Sequence, residues 1–284
     1  MADVVVTGAS GFIGRAVCIE LVQRGHTVYA ISRTKVVEIA RVKNVYVDAY
    51  DRFHGPDQAI CIHLAGVSRA STSSGVQTVL KEAVILARCI VNSRVSRVVF
   101  ASSALVYGDA QTWPRREDEP VNPRSPYAVV KRAVEEVFLA HGHVVARIAN
   151  TYGVGMSTTN VLSDLLRQIP GEGEVRVRDT APVRDYIHVR DIARGLADLA
   201  LGASEGIYNL GTGIGTSVGE LAALLLMQAG EEARQVVPLV HGDRPSWLVL
   251  DPSRMKTTFG WEPTVSLLQG LKDLLNRRDH VLAG

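Results

Sequence analysis

The chain is poor in cysteine and in aromatic side chains, and it has no long apolar run. Its three cysteines, Cys18, Cys61 and Cys89, are widely spaced, with no Cys-x-x-Cys and no Cys/His cluster. Neither a disulfide framework nor a metal site is expected, and the thiols read as small buried hydrophobes. The longest uninterrupted apolar stretch runs only from Leu221 to Met227, far short of the roughly 18 residues that span a bilayer. An excess of one charge is also missing, because 31 Lys and Arg stand against 29 Asp and Glu with the signs interspersed. No basic stripe argues for nucleic acid or for an anionic membrane surface. The N-terminus passes from Met-Ala-Asp straight into Val4-Val5-Val6, without a basic or apolar leader pattern. A cytoplasmic location is therefore expected.

What is present is a globular composition, 46% apolar and 21% charged over 284 residues, long enough for about two domains. Short β-branched runs at Val4–Thr7, Thr27–Ser32, Asn44–Asp48, Ala59–Ala65, Arg97–Ser102 and Val144–Ile148 read as strands buried on both faces of a parallel sheet. Between the first two, Ile13, Val17 and Leu21 recur every four residues and Gly25 closes the segment, as in an amphipathic helix. Segments 75–93 and 126–141 also read as helices. The alternation predicts an α/β fold, a doubly wound parallel (Rossmann) sheet with right-handed crossovers. After about residue 150 the rhythm changes, so the expected division is a dinucleotide-binding domain over 1–150, joined again by part of 183–205, and a smaller α/β lobe over 151–284. Ser217 with Glu220 forms a predicted capping box for 218–229, and Asp251-Pro252 predicts a helix with proline at its first position. The loop 108–125, rich in proline and charge, reads either as a cover for the site or as a surface crossover.

The sharpest local signal is Thr7-Gly8-Ala9-Ser10-Gly11-Phe12-Ile13-Gly14, at the turn from first strand to first helix. Glycines there let the backbone approach a pyrophosphate and aim helix N-terminal N–H groups at it. At the end of the second strand, where NAD-preferring folds usually carry an acid, the chain reads Ser32-Arg33. A hydroxyl beside a guanidinium suits a 2′-phosphate, which favours NADP(H) over NAD(H); Asp48 is then left to the adenine edge. Tyr127 and Lys131 lie one helical turn apart and project from one face. An ammonium beside a phenol favours the phenolate, which makes such a pair a general acid/base. Ser102 and Ser103 end the fifth strand at the edge where doubly wound sheets bind ligands, and one of them is placed to donate to a substrate carbonyl.

Together with His63-Leu64-Ala65-Gly66, Phe100 to Gly108, Arg147-Ile148-Ala149-Asn150, Arg184 to Val189 and Tyr208-Asn209-Leu210-Gly211, these segments resemble the extended short-chain dehydrogenase/reductases that modify nucleotide sugars. That family includes 4-epimerases, 4,6-dehydratases and 4-keto-6-deoxyhexose reductases. The resemblance implies that Ser103 bonds the reacting oxygen, that Tyr127 is the acid/base, and that Lys131 holds the nicotinamide ribose. It implies a cofactor cradle of Gly8, Ser10, Gly11, Phe12, Ile13, Gly14, Ser32, Arg33, Asp48, Leu64, Ala65, Gly66, Ala101, Ser102, Tyr127 and Lys131. It further implies that Asn150, Arg184 and Arg244 meet the diphosphate of a nucleotide sugar, and that the partner in assembly is a second copy, in a homodimer.

The departures carry information too. Dehydratases resemble Thr-Asp-Glu where this chain has Ser103-Ala104-Leu105, and Ala104 and Leu105 cannot transfer protons. Gln77-Thr78-Val79-Leu80 replaces an Asn-Val of many relatives, and the chain is short between Asn150 and Arg184. Two reactions fit, both at C4 of the sugar: an NADPH-dependent 4-ketoreductase, which Ser32-Arg33 favours, and an alternative 4-epimerase. A non-catalytic cofactor-binding protein is disfavoured, because Ser103, Tyr127 and Lys131 are all present.

Overall fold

Residues 1–33, 38–50, 55–66, 75–240, 242 and 245–282 are described here from a computed structural model. Strand β1 (Asp3–Thr7) passes through helix α1 (Phe12–Gln23) to β2 (Thr27–Ser32), then to β3 (Val42–Tyr46), β4 (Ile60–His63), α2 (Val76–Val91) and β5 (Arg97–Ser103). A 3-10 turn over Ala104–Tyr107 and a long connection precede α3 (Pro126–Leu139) and β6 (Val144–Ile148). There follow β7 (Asn150–Tyr152), α4 (Val161–Gln168), β8 (Val175–Val177), β9 (Val183–His188), α5 (Val189–Gly202) and β10 (Gly206–Leu210). The remainder is β11 (Gly215–Ser217), α6 (Val218–Ala229), β12 (Val236–Pro238), β13 (Trp247–Leu248), α7 (Ser253–Phe259), α8 (Leu267–Asn276) and α9 (Arg278–Leu282).

Seven of these strands form one sheet in the order β10-β6-β5-β4-β1-β2-β3, with every neighbouring pair parallel. From β1 the chain builds outward through β2 and β3, and from β4 it builds the other way. The crevice where the order reverses therefore opens at the C-terminal ends of β1 and β4, the place where such sheets take ligands. Because successive strand residues face opposite sides, Val4 and Val6 enter the core beneath α1 and α5, while Val5 enters the one beneath α2 and α3. A third core, built on Tyr152, Leu162, Leu165, Leu225 and Leu271, fills the smaller lobe. There β9 lies between β11 and β13 and also pairs with β7, and β8 pairs with β12.

The sequence pattern names six strands of the large sheet, and the structure adds β10, which pairs with β6 after α5 has packed beside α1. Leu248, Leu250, Met255 and Trp261 also join the large core. Strand β3 starts two residues before the expected Asn44, because its register is set by β2, with Val28 opposite Val42 and Ser32 opposite Tyr46. Strand β4 stops at His63, after which the Leu64 N–H is shared between the Thr7 carbonyl and hydroxyl and the Ala65 N–H bonds that hydroxyl alone. The capping box at Ser217 and Glu220 forms as expected. Helix α7 begins one residue later than expected, at Ser253, whose N–H donates to the Asp251 carboxylate at 2.8 Å. Cys18 and Cys61 are buried and Cys89 half-buried, all free thiols. Among the described residues no helix is long and apolar enough to cross a membrane.

Candidate active site

The glycine-rich turn follows β1 directly and is held by sterics. Gly8 sits at φ +69°, and a Cβ there would lie 2.8 Å from the Ala65 nitrogen. At Gly14 a Cβ would lie 2.2 Å from the Gly8 carbonyl oxygen. Helix α1 opens after Gly11 without a side-chain cap, so its first-turn N–H groups are left for an anion. The Thr7 hydroxyl accepts from Leu64 and Ala65 N–H, both at 3.2 Å, and bonds His63 Nδ1 at 2.7 Å. The first turn and the Leu64-Ala65-Gly66 turn are thus joined into one crevice floor. At Gly66, with φ +140°, no described residue lies within 4 Å of a Cβ position. These residues fit a dinucleotide.

With two N–H donors already on its oxygen, Thr7 donates its own proton to Nδ1, and this assigns His63 as the neutral tautomer protonated on Nε2. Burial, then the Lys131 charge, pushes its pKa down to about 3. An unfolded histidine titrates near 6.5, so this group's contribution is fully present above that pH. It is lost as pH falls toward 3, at about 1.4 kcal/mol per pH unit while one proton separates the states. His63→Asn is expected to show a shallower loss of stability than the parent in urea melts between pH 7 and 5; equal slopes would exclude this role.

At the end of β2 the Ser32 hydroxyl bonds that of Ser10 at 3.2 Å, tying the two strand ends that flank the crevice. The Arg33 guanidinium lies over the Tyr50 ring, 5.3 Å from its centroid. The Asp48 carboxylate accepts from Ala49 N–H at 2.9 Å. Helix α3 begins with Ser125 capping Ala128 N–H and with Pro126 in the first turn, which places Tyr127 at the crevice end of the helix. Lys131, one turn on, donates from Nζ to the Ala101 carbonyl at 2.7 Å, with Nζ 4.8 Å from the Phe100 ring centroid and 5.7 Å from that of Tyr127. The two serines diverge. Ser102 donates to Glu135 Oε1 at 2.5 Å in the interior, whereas half-buried Ser103 caps the following turn, accepting from Leu105 N–H at 3.2 Å. Ala101, Ser103, Tyr127 and Lys131 are therefore gathered where β5 meets α3.

In the smaller lobe, Asn150 opens β7 and is paired in register with Tyr186 of β9. Arg184 on β9 donates from Nη1 to the carbonyls of Val183 and Ser246, at 2.7 and 3.0 Å, and from Nη2 to Ser246 Oγ at 2.7 Å. Asp109 lies 3.5 Å from it. Asp191, on α5, is buried against Arg194, Thr264 and Val265. Arg244, with its neighbour Asp243, lies outside the described residues.

The 108–125 loop is a brace. Buried Arg115 donates to Glu119 and to the carbonyls of Tyr107 and Pro120. Its backbone bonds Val249 and Asp251. Sequence reasoning assigned no role to Glu135, Arg147, Asp109 or Ser246. For Glu135 a signal existed, since Tyr127, Lys131 and Glu135 recur every four residues and put an acid on a helix face that is otherwise buried.

A switch-point crevice with a glycine-rich first turn on a seven-stranded parallel sheet defines a Rossmann-like α/β enzyme of the extended short-chain dehydrogenase/reductase kind. Within that class the chain belongs to the NAD dependent epimerase/dehydratase family, whose sequence model matches residues 4–211. It is 28% identical to the UDP-glucose 4-epimerase of Bacillus subtilis, over 91% of each chain. The structure of UDP-glucose 4-epimerase from Thermotoga maritima with UDP-glucose superposes with a TM-score of 0.83 at 26% identity, covering 98% of this chain and 99% of that one. MoeE5 in complex with UDP-glucuronic acid and NAD superposes with a TM-score of 0.83 at 27% identity, covering 98% and 100%. The preference for NADP expected from Ser32-Arg33 finds no support in these neighbours.

Proposed function

We propose that the chain is a nucleotide-sugar 4-epimerase acting on UDP-hexoses with NAD as its resident dinucleotide. The observation that carries the reading is the grouping of Ser103, Tyr127 and Lys131 at the crevice, followed by Ala104 and Leu105, which have no proton to transfer. Likeness along the whole chain to UDP-glucose 4-epimerases supports it, and moves the balance away from the 4-ketoreductase that Ser32-Arg33 suggests. In this reading the turns at 8–14 and 64–66 hold the dinucleotide, with Lys131 at its nicotinamide ribose. When bound, the nicotinamide supplies a reversible hydride acceptor. Tyr127 takes the proton of the C4 hydroxyl as C4 is oxidised, and Ser103 bonds the same oxygen. The nucleotide diphosphate, anchored by Asn150, Arg184 and Arg244, retains the 4-keto sugar while it turns its other face to the nicotinamide. Tyr127 then returns the proton.

A second reading, reduction of an NDP-4-keto-6-deoxyhexose by NADPH, is favoured by the absence of a carboxylate after β2. The two separate when purified protein is incubated with UDP-glucose, UDP-galactose and 4-keto-6-deoxy sugars, following both NADPH absorbance and stereochemistry at C4. Interconversion without added reductant is expected. Stoichiometric NADPH consumption with no interconversion selects the reductase. The Arg184→Ala variant is expected to weaken UDP binding roughly 10- to 150-fold, as a charge-assisted phosphate contact requires, with dinucleotide affinity unchanged. Unaltered UDP affinity by calorimetry beside a lowered melting temperature would make Arg184 only a brace for Asp109 and Ser246.

A further inference from the structure

Glu135 is fully buried, yet it faces four donor groups. Ser102 Oγ lies at 2.5 Å, Arg147 Nη2 at 2.8 Å and Nε at 3.1 Å, and Arg132 Nη1 at 3.2 Å. These donors come from β5, β6 and α3 itself. Along α3, Glu135 is one turn past Lys131 and two turns past Tyr127, so the three share a face. The partner of Lys131 is the Ala101 carbonyl, the residue before Ser102, and the residue after Ser102 is Ser103. One carboxylate thus links α3 to the strand residue between the Lys131 acceptor and Ser103. Arg147 carries the link further, its guanidinium 4.5 Å from the centroid of the Tyr107 ring at the end of the turn that follows Ser103. Neutralising Arg147 would not by itself require a hydroxyl from Ser102.

We infer that Glu135 is a positioning residue: through Ser102 and Arg147 it sets the spacing of β5 and α3, and so holds Lys131, Tyr127 and Ser103 in mutual register. It touches neither substrate nor dinucleotide. The inference rests on the roles proposed above for those three residues. The competing role is purely structural, mutual neutralisation of two buried charges. The two differ in a testable way, because removing one partner of a buried ion pair is costly whereas replacing both by apolar groups of similar size commonly restores stability.

The test uses the full chain and measures kcat and KM with UDP-galactose, NADH affinity by fluorescence, and the melting temperature. In Glu135→Gln, kcat is expected to fall about 30-fold, with KM within about threefold and NADH bound about tenfold more weakly as Lys131 shifts. In the double variant Glu135→Leu/Arg147→Met, the melting temperature is expected to return to within about 3 °C of the parent while kcat and NADH affinity stay low. Recovery of both with the melting temperature would overturn the positioning role. Should the double variant fail to fold, Ser102→Ala keeps the ion pair and decides. It is expected to lower kcat about fivefold and NADH affinity about threefold at nearly the parental melting temperature, and unchanged values would overturn the inference. If the parent turns over no nucleotide sugar, the proposed reaction fails, and the NADH arm of the same variants still decides for or against Glu135.

Discussion

Tyr127→Phe is expected to lower kcat about 10³-fold while leaving dinucleotide affinity within about twofold, because it deletes the oxygen proposed to transfer the proton and leaves the aromatic ring in place. The ring is anchored independently of that oxygen, by the Ser125 cap and Pro126 at the start of α3 and by the Lys131 ammonium near its face. Lys131→Ala should differ in kind. It removes the ammonium beside Tyr127 that is proposed to hold the nicotinamide ribose, so both kcat and dinucleotide affinity should fall. Identical cofactor titrations of the two variants would contradict the separate roles given to them, and full activity in Tyr127→Phe would remove the acid/base assignment altogether.

The second large effect is expected at Gly14. Its Cβ would lie 2.2 Å from the Gly8 carbonyl oxygen and 2.8 Å from the Ala9 Cα, both in backbone that cannot rotate aside. Gly14→Ala must therefore separate α1 from the first turn, which displaces the N–H groups proposed to meet the pyrophosphate. A loss of dinucleotide affinity of about 100-fold or more is expected, by analogy with the close helix-to-strand packing that such glycines permit. Gly25→Ala is the control. A Cβ there meets nothing within 4 Å, although its φ of +81° adds a modest strain of its own. NADH titration of both variants reads the difference, and equal affinities would show that the turn is not the pyrophosphate cradle.

Legibility in the sequence followed burial. Strands β1, β2, β5 and β6 are buried on nearly every residue, so their apolar runs stand out with close to correct ends. Edge strand β3 is half exposed, its pattern is weak, and only pairing with β2 sets its register. Strand β10 is recruited by β6 from the far side of α5, a long-range choice that no local pattern reveals. In the candidate site, the placement of Gly8, Gly14, Tyr127 and Lys131 at the crevice was legible because local chemistry dictates their spacing. The partners of Arg184 were not, since Asp109 and Ser246 reach it from two separate loops. The choice of Ser103 over Ser102 comes only from the resemblance, because what draws Ser102 into the interior is a buried carboxylate on a different element. The NADP(H) preference read from Ser32 and Arg33 finds no support in the structural neighbours; in the structure the Ser32 hydroxyl bonds that of Ser10 and the Arg33 guanidinium lies over Tyr50.

Redox-neutral chemistry at C4 is the central claim, and the fate of the C4 hydrogen tests it most directly. UDP-glucose carrying deuterium at C4 is incubated with the protein and an excess of unlabelled NADPH and NADH, and the product is read by NMR and mass spectrometry. The account predicts UDP-galactose with the deuterium retained at C4, because in the proposed reaction the C4 hydrogen passes to the resident dinucleotide and returns to the same sugar without exchanging with free NADPH or NADH. Product with protium at C4, or label accumulating in the free dinucleotide with no UDP-galactose formed, would contradict it.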